Sequence, residues 1–301
     1  MDATGSELPL RLFGNPEAPD RIMVGATVYR RSVFDNGDTH RKGGHSLVLP
    51  YKCDTCNDSV VLKVFGSEHE HTACRERSLL KAIMKTERGG FVLPLRGSTM
   101  VNSTVYLCFP LVWGDFIHLA HADIGSDRVR VLLRYLRAAA SGLKLLHEGG
   151  VVHGDVKPDN IMLGLPDGSV SVTDMSFASV SNQFMGLPGG TPGYTSPFRE
   201  INYGRGSPRD DIFAMAVTVL VVVLQSPPTK YVRDGGGGRQ MVRSMVQTSP
   251  VYANCNKNDM VVCFLKGLEI MGEALLDPDI PAAPIGFLDT DYESWIDYGV
   301  L

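Results

Sequence analysis

The sequence predicts an α+β chain of two lobes, a small antiparallel-sheet lobe followed by a larger helical one, and two patterns carry the prediction. Short β-rich runs crowd one stretch, at Leu47 to Leu49, Val60 to Phe65, Phe91 to Leu95 and Val105 to Val112. Beyond Asp123 the apolar period changes to 3.6 residues. Val129, Leu132, Leu133, Leu136, Ala140, Leu143 and Leu146 share one helical face, with Ser126 as N-cap and Gly149 and Gly150 after the end.

Within the sheet-rich part, Cys74 to Lys85 reads as a helix because Leu79, Leu80 and Ile83 fall on one face. Downstream, the apolar run Ile212 to Leu224 is 13 residues long. That is short of the roughly 18 a membrane span needs, so it reads as a buried core helix. Further helical stretches are expected near Gln240 to Val246 and Asp259 to Leu276. Residues 1–40 scatter Gly, Pro and charge without a sustained period and read as a partly ordered N-terminal extension. The expected divisions are therefore an extension over 1–40, the sheet lobe over 41–112, the helical lobe over 113–285 and an acidic, aromatic tail over 286–301.

Composition narrows the function classes. With 44% hydrophobic and 21% charged residues among 301, the chain can bury a large core, and disorder is not its expected state. A net charge of −4 gives no basic footprint for nucleic acid or anionic membrane. Six cysteines are too few for a disulfide scaffold, and Met1 to Leu10 lacks the basic-then-apolar order of a secretory signal. An intracellular, reducing location is expected.

The chemistry concentrates in Val151-Val-His-Gly-Asp-Val-Lys-Pro-Asp-Asn160, followed by Ile-Met-Leu and then by Val170-Ser-Val-Thr-Asp174. This segment resembles the catalytic loop and metal-binding segment of eukaryotic-type protein kinases. Phosphoryl transfer needs a carboxylate to orient the attacking hydroxyl and oxygen ligands to hold Mg²⁺ at the phosphates. The resemblance implies Asp155 as catalytic base, Lys157 as the cation facing the transferred group, and Asn160 and Asp174 as magnesium ligands.

Order and spacing extend it. Lys63, in Val60-Val-Leu-Lys-Val-Phe65, stands 92 residues before Asp155 and is similar to the lysine that grips the α and β phosphates of ATP. Glu76 is its expected partner because Leu79, Leu80 and Ile83 bury the face beside it; Glu68 and Glu70 compete for the role. Counting back from Lys63 puts Val48 at the valine of the glycine-rich loop. The resemblance thus implies a nucleotide-binding set of Lys63, Glu76, Gly43, Val48 and Val112. Phe109 falls at the gatekeeper, where it reads first as a core aromatic. Gly190-Thr-Pro-Gly-Tyr-Thr-Ser-Pro197 resembles the platform that ends an activation segment, and Asp211 resembles the helix aspartate that braces the catalytic loop. Lys157 and Thr191 are similar to the serine/threonine class. ATP and Mg²⁺ are the implied cofactors, and protein hydroxyls the implied substrates.

The chain also departs from the family. Of the three loop glycines only Gly43 stands, with Arg41 and Ser46 at the other two positions, which weakens the backbone cradle for phosphates. Gly154 replaces an arginine that pairs with a phosphorylated activation segment, so constitutive activity is expected. Asp174-Met-Ser replaces Asp-Phe-Gly, and Phe198 replaces the glutamate closing the platform, with Glu200 as a possible substitute. These departures, and the 23 residues from Asp174 to Pro197, are similar to the conserved herpesvirus protein kinases. That implies viral and host nuclear substrates, with the host nucleus and virion tegument as locations.

Two other function classes stand beside the active kinase. A pseudokinase scaffold is favoured by the poor glycine loop and Phe198, and a small-molecule phosphotransferase shares the His-x-Asp and Asn pattern. Metal-ligand types also occur at Cys53-x-x-Cys56 and at His69-x-His71-x-x-Cys74. They flank a strand of about 20 Å and form two half-sites.

Overall fold

The computed structural model describes residues 7–122, 128–164, 169–180, 189–196, 206–228 and 237–250, and the chain divides between Val112 and Trp113 into two units. The first is built on eight strands: β1 (Leu8–Phe13), β2 (Arg21–Val24), β3 (Thr27–Arg31), β4 (Arg41–Lys42), β5 (Leu47–Cys53), β6 (Ser59–Phe65), β7 (Gly97–Val101) and β8 (Thr104–Pro110). Their order is β3-β2-β1-β7-β8-β6-β5-β4, and β3 pairs also with β5, so seven strands close into a ring. Closure removes the open edges an isolated sheet would present. Alternation along the strands sends Leu10, Ile22, Tyr29, Leu49, Leu62 and Tyr106 into one buried cluster.

Three expectations change here. Residues 8–31 supply β1 to β3 within the stretch expected to be a partly ordered extension. Leu8, Leu10 and Leu12 alternate along β1, while the glycines that blur the period sit in turns, Gly14 at φ 92°, Gly25 at φ 60° and Gly37 at φ 86°. Gly25 opens the two-residue turn between Val24 and Thr27. Second, the sheet is not wholly antiparallel, because β1 and β7 run parallel at Leu8↔Gly97. Third, Phe91 to Leu95 is not one of the paired strands. A 3₁₀ turn covers Glu87–Phe91, Pro94 has no N–H to give a ladder, and the Leu95 N–H donates to Met84 Sδ at 3.3 Å. The strand that pairs with β8 on the side away from β6 is β7, turned by Asn102 and Ser103 at positive φ. Helix α1 (Glu70–Met84) packs against β8.

The second unit begins with β9 (Gly114–Asp115) and α2 (Phe116–His121), whose N-cap Asp115 accepts the His118 N–H at 3.0 Å. Helix α3 (Arg128–Glu148) buries Leu132, Leu136, Ala140, Leu143 and Leu146 along the expected stripe. It ends at Gly149 and at Gly150, φ 75°, whose N–H returns to the His147 carbonyl. Strand β10 (Val151–Val152) pairs with β13 (Ser179–Val180), and β11 (Ile161–Leu163) lies between β9 and β12 (Val170–Val172). Helix α4 (Pro208–Leu224) carries a capping box of Ser207 and Asp210 and is buried almost all round, as an apolar core helix requires. Helix α5 (Gly237–Thr248) contains the expected stretch from Gln240 to Val246. Among the described residues no helix is long and apolar enough to cross a membrane. Asp123, Ser126, Pro197, Phe198, Glu200, the stretch 259–276 and the tail 286–301 lie outside the described residues.

Candidate active site

Strand β6 turns Val60, Leu62 and Val64 to the core and leaves Lys63 on its other face, opposite Val48 of β5 and Leu107 of β8. The Lys63 ammonium donates to both Glu76 oxygens, each at 3.0 Å, and lies 4.9 Å from the Phe65 ring centroid. Glu76 is 1% exposed and shares a face of α1 with Ala73, Leu80 and Ile83. Of the three competing acids, Glu76 meets the lysine, whereas the Glu68 side chain is 69% exposed beside His69. A buried carboxylate can stay charged only with such a partner, and removing one member of a buried pair costs about 3–5 kcal/mol. Gly43 sits in the hairpin between β4 and β5, where its N–H donates to the Ser46 carbonyl at 2.8 Å. Val112 is half-buried just past β8, and Phe109 is buried opposite Val61.

The second constellation converges on Asp155, itself 4% exposed. Its Oδ1 accepts the Thr191 N–H and hydroxyl, both at 2.8 Å, and its Oδ2 accepts the Lys157 ammonium at 2.9 Å and the Asn160 amide at 3.1 Å. Lys157 donates also to the Thr191 hydroxyl at 2.7 Å, which ties the loop to the Gly190 segment. The Asn160 amide nitrogen reaches the Asp155 carbonyl at 2.8 Å as well. Both of its protons are directed at Asp155, which turns the amide oxygen away as a hard ligand atom for a divalent cation.

Loop shape is set from behind. Asp211, near the start of α4 and 1% exposed, accepts the His153 N–H at 2.7 Å and the Gly154 N–H at 2.8 Å, and its Oδ2 lies 2.9 Å from His147 Nε2. His153, fully buried, accepts the Asp155 N–H at Nδ1, so Nε2 carries its proton and donates to the Thr173 carbonyl at 2.9 Å. The Thr173 N–H in turn meets the Asn160 carbonyl at 2.9 Å, joining the segments that carry Asn160 and Asp174. Gly154 has φ 81°, a conformation glycine adopts without strain.

Asp174 has φ 61°, a left-handed conformation in which Asp is among the tolerated residues, and its Oδ1 accepts the Ser176 hydroxyl at 2.6 Å. The serine that replaces glycine therefore grips the carboxylate it follows. Burial pushes the Tyr194 phenol well above its ordinary range, with Asp159 and Asp155 adding to the effect. Among the described residues no three His, Cys, Asp or Glu side chains gather as a metal cluster, so Cys53, Cys56, His69, His71 and Cys74 do not make one site.

A protein kinase domain matches residues 42–264. The chain belongs to the protein kinase family. It thereby takes the two-lobed α+β fold of that family, and its relatives are named protein kinases, some of them serine/threonine-protein kinases. It is 26% identical over 213 residues to serine/threonine-protein kinase GE16371 of Drosophila yakuba, covering 66% of this chain and 27% of that one. A protein kinase C-like protein of Cochliobolus heterostrophus is 28% identical over 227 residues, 70% of this chain and 18% of its own. The cAMP-dependent protein kinase catalytic subunit 3 of Drosophila melanogaster is 29% identical over 154 residues, 51% and 25% of the two chains. The matches thus span 18% to 27% of the length of these relatives.

Two residues of the site's hydrogen-bond network, His147 and Ser176, were not singled out by sequence for what they contact. His147 lies four residues after Leu143 on the apolar stripe of α3, and a histidine at such a core position was the available signal. Ser176 was legible only as a missing glycine, because its bond to Asp174 depends on the left-handed turn.

Proposed function

We propose that this kinase transfers the γ-phosphoryl group of ATP to serine or threonine hydroxyls of proteins, without needing a phosphate on its activation segment. The observation that carries the reading is the Asp155 carboxylate, fixed by Thr191, Lys157 and Asn160 in one buried network. In this reading the carboxylate orients the acceptor hydroxyl and takes its proton as the oxygen–phosphorus bond forms and ADP leaves. Lys157 faces the charge developing on the transferred group, and Lys63, held by Glu76, grips the α and β phosphates. Asn160 and Asp174 would hold magnesium, which supplies positive charge against the phosphate oxygens.

Independence from activation-segment phosphate rests on Gly154, which offers no guanidinium to a phosphorylated residue, while Lys157 and Asp155 already clamp Thr191. The departures at Gly154, Asp174-Met-Ser and the short run to Pro197 extend the proposal to the conserved herpesvirus kinase group. Host nuclear and viral proteins would be the substrates there, and the nucleus and tegument the locations. None of the three relatives named above is viral.

The test is a Lys63→Met variant and phosphatase-treated wild type, each assayed for labelled phosphate on basic and acidic proteins and on small alcohols and amines. Label on protein serine or threonine, unchanged after phosphatase and lost in Lys63→Met, is the expected result. Label on small molecules alone would favour a small-molecule phosphotransferase. ATP binding without any transfer would favour a scaffold.

A further inference from the structure

The turn from β5 to β6 carries Cys53-Asp54-Thr55-Cys56, and phosphoryl transfer makes no use of it. The Cys53 N–H donates to the Asp58 carbonyl at 2.9 Å, folding residues 54–57 into a tight, exposed loop. The Thr55 hydroxyl lies 3.4 Å from the Cys53 sulfur, and the Cys56 thiol and the backbone N–H groups of Thr55 and Cys56 stand as hydrogen-bond partners beside it. Such a nest stabilises negative charge. The Cys56 thiol first, then Thr55, holds the Cys53 thiol down to about 7, while donating to Cys53 pushes Cys56 up. Cys56 is exposed, whereas burial drives Cys108 up to about 12 and out of reach.

We propose that Cys53 and Cys56 form an oxidisable dithiol, a modification site for hydrogen peroxide that closes to an intramolecular disulfide. The Cys53 thiolate attacks one peroxide oxygen, the oxygen–oxygen bond breaks, and hydroxide leaves as sulfenic acid forms. The Cys56 sulfur then displaces that hydroxyl as water, so two thiols and one peroxide yield a disulfide and two waters. Near neutrality about half of Cys53 is thiolate against about 1% of an ordinary thiol, and the lower nucleophilicity of an acidic thiol reduces this to about a sixfold rate advantage. Peroxide is small enough to reach the largely covered Cys53. With no third ligand beside the pair among the described residues, a thiol couple rather than a closed metal centre is what the turn builds.

The experiment exposes the reduced full chain to hydrogen peroxide at pH 7, blocks remaining thiols by alkylation and maps the peptides. The peptide holding Cys53 and Cys56 is expected to lose two hydrogens, reversibly with dithiothreitol, about six times faster than the thiol of an unstructured reference peptide oxidises, with Cys108 unmodified. Thr55→Val slows the closure, and Cys56→Ser leaves a sulfenic acid on Cys53 that dimedone traps. Both sulfurs staying open to alkylation under peroxide that oxidises the reference thiol, or passing to sulfinic acids without a disulfide, would overturn the proposal. The readout is a mass change, so it stands apart from kinase activity.

Discussion

Replacing Asp211 by asparagine isolates the brace behind the catalytic loop. The carboxylate accepts two backbone N–H groups and faces His147 Nε2, all between 2.7 and 2.9 Å, in a setting 1% exposed. An amide of the same shape keeps one accepting oxygen. In its better orientation it holds His153 and His147 and turns its NH₂ toward the Gly154 N–H. One hydrogen bond to a charged acceptor is lost, worth about 1.5–3 kcal/mol, and two more fall to neutral strength at about 1 kcal/mol each. Burying a neutral group in place of a charge returns part of this. The net expectation is a loss of about 3 kcal/mol, which for a unit of this size lowers Tm by roughly 6–12 °C. The loop backbone next to Asp155 is loosened at the same time, and a misplacement of about 1 Å costs roughly 10²-fold in kcat. Urea unfolding and phosphate transfer measured on one preparation provide the assay. Wild-type midpoint together with wild-type kcat would refute the assignment of Asp211 as the brace.

Glu76→Gln keeps the shape of its side chain but removes the charge that holds Lys63, and kcat/KM for ATP should fall by about 10²-fold; unchanged steady-state kinetics would contradict the pairing. Asp155→Asn meets four donors on the carboxylate and should lose about 2–4 kcal/mol by urea titration. Identical midpoints would show the network to be dispensable. Burial pushes the Asp58 carboxyl up, but hydrogen bonds from Arg96 and Tyr29 outweigh it and hold the group below its ordinary range. Its contribution is therefore present above the unfolded value of about 3.9 and lost as pH falls through the folded value, so the gap in stability between wild type and Asp58→Asn should narrow below about pH 4. A gap that stays constant from pH 6 to pH 3 would count against that bond set.

Much of the fold was legible because period and chemistry agree locally. The stripe from Leu132 to Leu146 specifies α3, and the apolar run from Ile212 specifies a buried α4, each without help from distant residues. The alternation of Val60, Leu62 and Val64 likewise places Lys63 on the opposite face of β6. The first 40 residues were illegible for a nonlocal reason. β1 gains its partners from β2 and from β7, nearly 90 positions away, and closure through β3 and β5 leaves no mark on any short window. Pro94 shows the converse, since an apolar run that matches a strand template lacks the donor a ladder requires. At the candidate site, residue types at fixed spacing single out Asp155, Lys157, Asn160 and Asp174, and the structure joins the first three in one hydrogen-bond network, whereas His147 and Ser176 gain meaning only from contacts across 64 residues or a left-handed turn.

The most direct test is transfer of labelled γ-phosphate from Mg·ATP to protein by wild type and by Asp155→Asn, at a temperature where both are folded. The account predicts label on serine and threonine with wild type and its loss in the variant while ATP binding persists. Equal labelling by the two proteins, or label in neither despite ATP binding, would contradict it.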